Sequence, residues 1–229
     1  MKSDETTEER KTKRGTRAAS RTKTAYDIFE ISIGRARNLI KIHKDAHGKK
    51  GKPPSYLSDT YRGSILLAIA ALDAFVRSYV VARIREVLVE KENDIPGELR
   101  DKIKHFLKED GLLDAARQDD LLERVGKAFE NDFSKRSFQG TKNITECLKL
   151  IGHSDVFHEI AVAAGVNEDT LKEELDKFTE RRHAIAHCGD HDMSQNPPIE
   201  NTITKKDAQN CIRVVTTVAK TLNALRMDQ

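Results

Sequence analysis

The chain has 229 residues, enough for one well-filled core, and its 34% charged and 5% aromatic content without Trp reads as a soluble helical protein. Residues 1–23 carry eight Lys or Arg against four Asp or Glu, a net of +4 in a chain of formal charge +3, which leaves about −1 for the rest. That excludes a generally basic surface, so any nucleic-acid contact needs a local patch or the tail. Three widely spaced cysteines, Cys147, Cys188 and Cys211, with no C-x-x-C, exclude a disulfide framework and a zinc ribbon and predict a reducing, cytoplasmic setting.

Residues 1–23 lack apolar periodicity and predict a disordered basic arm, either a solubilising tail or a tether for RNA. No apolar h-region marks a secretory signal there. Residues 24–229 predict one helical domain. The first helix is expected from about Ala25 to Lys44, with Ile28, Ile31, Leu39 and Ile42 near helical spacing. Gly48, Gly51, Pro53 and Pro54 then predict a loop, whose Lys49, Lys50 and Lys52 are weak candidates for phosphate contacts. Ser58 or Asp59 is placed to cap a long helix over about 59–91. From Ile65 to Val76 that helix is apolar nearly all round, as a central bundle helix should be. Its longest apolar run, Ile65–Leu72, is too short to span a bilayer, so no membrane contact is expected. Shorter helices are predicted at 98–109, 112–132, 143–151 and 154–164, punctuated by Gly111, Gly140, Gly152 and Gly165. Asn167 or Glu168 opens another, Asn196-Pro197-Pro198 is a break, and a last helix covers about Lys205–Leu225. No strand pattern stands out.

The helix opened at Asn167 carries the densest chemistry in the chain, Arg181-Arg182-His183-Ala184-Ile185-Ala186-His187-Cys188-Gly189-Asp190. Arg182 and His187 form an R-x4-H pair. A permanent guanidinium beside a group that titrates near neutral pH can handle phosphate without a metal. Leu171, Leu175, Phe178, Arg182 and Ile185 follow a 4-3-4-3 spacing, which puts Arg182 on the buried stripe. A buried guanidinium needs acceptors, and Asp73, which interrupts the apolar stretch of the 59–91 helix, is the expected partner across the core. Such a pair could equally do no more than fix helix register. His187 lies about 140° round a strict helix from Arg182, so either the last turn loosens before Gly189, or the site lies between two protomers. His183, His187 and His191 with Asp190 or Asp192 offer a metal reading, but Ala184 breaks H-E-x-x-H and Gly189 interrupts the helix. Cys188 next to His187 makes only a weak nucleophilic dyad.

Three passages give the chain a resemblance to the HEPN superfamily, and within it to the RiboL-PSP-HEPN branch. They are Tyr61–Val76, Ser137–Ile144 with Leu150–Gly152, and Arg181–Asp190. The resemblance implies an all-α, HEPN-like bundle of four core helices plus additional short helices. It also implies a homodimer that joins two R-x4-H motifs in one cleft, and a metal-independent endoribonuclease without cofactor, often a toxin or anti-phage effector. Carried over to this chain, Arg182 and His187 match the catalytic pair. His183, Asp73, Arg181 and Asp190 take supporting places. Cleavage would proceed by attack of the RNA's own 2′-OH and leave a 2′,3′-cyclic phosphate. RNA and an antitoxin or regulatory protein are the expected partners. The alternative is a HEPN module that binds RNA or a protein without cutting; a metal-assisted nuclease is a third reading.

Overall fold

In a computed structural model, which describes residues 23–48, 51, 53–90 and 94–227, the chain is all-α apart from one small hairpin. Lys49, Lys50, Lys52 and the arm before Lys23 lie outside the described residues. The helices are α1 (Ala25–His47), α2 (Asp59–Val89), α3 (Gly97–Gln118), α4 (Leu121–Ser134), α5 (Thr141–Lys149), α6 (Val156–Ala164), α7 (Glu168–Cys188) and α8 (Lys205–Met227). A 3-10 turn at Ser55–Ser58 leads into α2.

Helix α2 is the axis of the molecule. Ile65, Ala68, Ile69, Leu72, Val76, Val80 and Ile84 are fully buried, and α1, α4, α7 and α8 all pack against it. It is long and apolar enough to cross a membrane by length and composition, yet here over half of its most apolar window is covered by the rest of the fold. Helices α1, α2, α7 and α8 form the four-helix core, with α3 to α6 around it. One continuous apolar cluster joins them. Each large side chain buried there contributes about 1.5–3 kcal/mol.

Helix α1 starts where expected, because Thr24 and Asp27 form a reciprocal capping box. Its packed face differs from the expected one. Phe29, Ile33, Ala36 and His43 are buried, whereas Ile28, Ile31 and Ile42 face outward. The inward set keeps strict helical spacing only if an alanine and a histidine are accepted into the stripe, which a count of large apolar residues overlooks. His43 stacks on Tyr61 with ring centroids 4.2 Å apart, and Ser64 Oγ donates to the Ala36 carbonyl at 3.0 Å. Gly63 lets the two helices approach: a Cβ there would sit 3.0 Å from Leu39 Cδ1.

Three further expectations are corrected. The break predicted at Gly111 falls instead at Lys108, which takes a non-helical conformation, and at Asp119, which is left-handed. Gly111 stays helical, flanked by Leu107 and Leu112, which pack against the core. Ser58 makes no side-chain cap; its hydroxyl donates to Ser55 O and accepts from Arg62 Nη1. Two short strands do form, His191–Asp192 paired antiparallel with Ile199–Glu200, around a turn containing a cis Asn196–Pro197 peptide.

Candidate active site

Helix α7 begins at Asn167, whose side chain accepts from Thr170 N at 2.9 Å, and ends at Gly189 in the left-handed region. Leu171, Leu175 and Phe178 are buried and fix its rotation. The Gly189 amide donates to the Ala184 carbonyl in a six-to-one bond, and Asp190, also left-handed, sends its own amide to the same carbonyl at 3.0 Å, closing the helix end. The helix stays α-helical to Cys188, so the last turn does not loosen.

Asp190 is fully buried and its Oδ2 accepts from Arg62 Nε and from Arg181 Nη2, each at 2.8 Å. Its carbonyl accepts from the backbone and the side-chain amides of Asn201 at 2.8 and 3.0 Å. Arg62 spends its other donors on Ser58 Oγ, Asp59, Glu200 and Asn201 O. Burial alone would pull Arg62 down, but Asp190, Glu200 and Asp59 outweigh it and hold the guanidinium above its ordinary value. Arg181 also donates to Thr202 O at 2.9 Å. The start of α2, the end of α7 and the hairpin are therefore tied together at one carboxylate.

The expected pairing of Asp73 with Arg182 does not occur. Asp73 accepts from Phe138 N at 2.5 Å and from Arg77 Nη2 at 3.0 Å. The reason is axial register. Arg62 lies level with Arg181, and Asp73 is eleven residues further along α2, about 16 Å away at 1.5 Å per residue. The buried arginine that meets a carboxylate across the core is Arg62, with Asp190.

Arg182 is half-buried and has no hydrogen-bond or ion-pair partner among the described residues. His183 and His187 are exposed, with ring centroids 4.6 Å apart. Going round the helix from Arg182, Ala186 comes at about 40°, His183 at about 100° and His187 at about 140°. Ala186, His183 and His187 are all exposed, so one open arc carries an unspent guanidinium at one edge and two imidazoles at the other, separated by a methyl group. One and two turns toward the N-terminus, Thr179 and Asp176 border the same arc. Asp176 holds the start of α5 through Thr141 N at 2.7 Å and Thr141 Oγ1 at 2.6 Å. Gly140 abuts both α7 residues; a Cβ there would lie 3.1 Å from Asp176 Oδ1.

Of the sequence-predicted residues, the structure thus brings Arg182, His183 and His187 onto one surface and puts Arg181 and Asp190 in the buried network beneath it. Asp73 is placed elsewhere. His191 does not continue the histidine row: the helix ends before it, and its Nδ1 lies 3.2 Å from Cys188 O. Among the described residues no three His, Cys, Asp or Glu side chains converge. Sequence reasoning missed Arg62, whose one signal was a charge at helical spacing from the buried stripe of Ile65, Ile69 and Leu72.

The model of the RiboL-PSP-HEPN family matches residues 32–225, and the chain belongs to that family. The match runs from α1 into α8 and includes all three passages that carried the resemblance. HEPN membership suggests a ribonuclease or RNA-binding function, and HEPN domains commonly bind RNA and dimerise. No match was found among curated proteins or among solved structures.

Proposed function

We propose that the chain is a metal-independent endoribonuclease whose site is the exposed arc at the end of α7. The observation that carries this reading is Arg182, half-buried with its donors unspent among the described residues, on the same open surface as His183 and His187. Arg182 binds a phosphate oxygen and stabilises the charge that grows on it. The His187 imidazole takes the proton from the ribose 2′-OH. The 2′-oxygen then bonds to the adjacent phosphorus, the bond from phosphorus to the 5′-oxygen breaks, and the leaving oxygen takes a proton from a second imidazole. The products are a 2′,3′-cyclic phosphate and a 5′-OH.

Because the arc spans about 140° of one helix, a single copy does not bring Arg182 and His187 onto one phosphate. A homodimer that opposes two arcs does, each copy's Arg182 facing the other's His187. The small Ala186 at the centre of the arc lets two helices approach. We assign the protein to the toxin or anti-phage effector class in a reducing, cytoplasmic setting, in keeping with its three unpaired cysteines; an antitoxin or regulator would hold it in check.

The test is incubation of the full chain with end-labelled RNA in excess EDTA. Cleavage to cyclic-phosphate ends, with DNA of the same sequence left intact, is the expected result. Binding without scission would identify a non-catalytic HEPN module, and cleavage only with a divalent cation a metal-assisted nuclease.

A further inference from the structure

The buried network beneath the arc does more than close a helix. Arg62 and Asp190 are 128 residues apart, yet Arg62 Nε meets Asp190 Oδ2 at 2.8 Å. Asp190 holds the last turn of α7 from the other side, through its amide on Ala184 O. Ala184 lies between His183 and His187, so the orientation of that turn follows the carboxylate. Arg181 shares the same oxygen, and it adjoins Arg182 in sequence. Both edges of the arc are therefore referred to one buried residue, and that residue is held to the rigid central helix by Arg62.

We infer that Arg62 is a positioning residue for the ribonuclease site: acting through Asp190, it sets the orientation of the last turn of α7 and with it the relation of His187 to Arg182. Arg62 is itself buried and all its nitrogens have partners, so it has no donor left for RNA. Four of its partners, Ser58, Asp59, Glu200 and Asn201, fix the guanidinium in place. A lysine there would keep the charge but lose the fork. The inference rests on the reading of the arc as an RNA-cleaving site, but the clamp itself is measurable without RNA.

The experiment compares full-length wild type with Arg62→Met and Arg62→Lys, by amide hydrogen exchange and by RNA cleavage. Val80→Ala, a core change in α2 remote from the site, serves as the control for general destabilisation. Exchange across residues 184–190 is expected to rise about tenfold or more in both Arg62 variants, with 171–178 changed by no more than about twofold. The cleavage turnover falls by about tenfold while KM stays within about twofold, because bound RNA is still held by Arg182. Val80→Ala leaves turnover near wild type. Should Arg62→Met fail to fold, the lysine variant decides. Unchanged exchange at 184–190, or a fall in turnover matched by Val80→Ala, overturns the positioning role. Wild type that cuts no RNA while Arg62→Lys still loosens 184–190 overturns the site's assignment and leaves a structural clamp only.

Discussion

Asp73 accepts the backbone amide of Phe138 at 2.5 Å, pinning the segment before α5 to the central helix. Phe138 is fully buried beside Phe133, ring centroids 4.8 Å apart. The acidic residue inside the most apolar stretch of the chain thus serves a backbone donor, with Arg77 on its second oxygen. Asp73→Ala leaves that amide unsatisfied and is expected to cost about 1–3 kcal/mol in urea unfolding. Asp73→Asn, which keeps a carbonyl acceptor, should recover most of the loss. Equal loss in both variants would transfer the effect to the Arg77 ion pair.

Asp190 carries two arginines on one oxygen with its side chain fully buried. Asp190→Asn tolerates the left-handed backbone but removes the charge, leaving Arg62 and Arg181 facing a neutral amide. A loss of about 3–5 kcal/mol is expected, read as a shift of the urea midpoint. A midpoint within error of wild type would mean that Glu200 and Asp59 alone satisfy Arg62.

His187→Ala should abolish RNA cleavage while leaving melting within about 0.5 kcal/mol of wild type, since an exposed residue near a helix end supports little packing. Full activity in the variant would remove His187 from the chemistry. Arg182→Ala should likewise abolish cleavage, and because Arg182 has no hydrogen-bond or ion-pair partner among the described residues it too should leave the fold intact.

His43 gives the fold a pH dependence of its own. Burial lowers its pKa below the ordinary 6.5, and the nearby His47 and Lys205 push the same way. The folded state then binds fewer protons than the unfolded chain at mildly acidic pH, so stability falls as pH drops through 6.5. His43→Phe, which can keep the stack on Tyr61, should flatten the slope of the urea midpoint between pH 7.5 and about 5. An unchanged slope would place its origin in another group.

Cys188 is exposed, whereas burial pushes the Cys147 and Cys211 thiols up to about 12. A thiol-specific colour reagent at mildly alkaline pH should titrate one cysteine in the native protein and all three in denaturant. Cys188→Ser should leave none reactive in the native state. Fast reaction at two sites would show that the packing around α5 or α8 opens readily.

Much of this architecture is local and therefore readable. The 4-3 run of Leu171, Leu175 and Phe178, the Asn167 cap and the Gly189 stop define α7 almost to the residue, because each acts through neighbours in sequence. The same periodicity leaves His183 and His187 off the buried stripe, but it puts Arg182 on it, whereas the structure leaves Arg182 half-buried at the edge of the open arc. What the sequence hides is register between distant helices. Asp73 and Arg62 are both charges on α2, and nothing local says which of them lies level with the end of α7. The buried face of α1 was obscured for a different reason: Ala36 and His43 fill positions that large apolar residues would have announced, while Ile28, Ile31 and Ile42 decorate the outside.

The separation of Arg62 from Asp190 also bears on how the protein is made. At a synthesis rate of about 5–20 residues per second, roughly 6 to 25 seconds pass between the emergence of the first partner and the second. During that interval Arg62 has Ser58 and Asp59 beside it but not Asp190. A ribosome-bound chain thus cannot close the end of α7 onto α2 until Asp190 and the hairpin have left the exit tunnel.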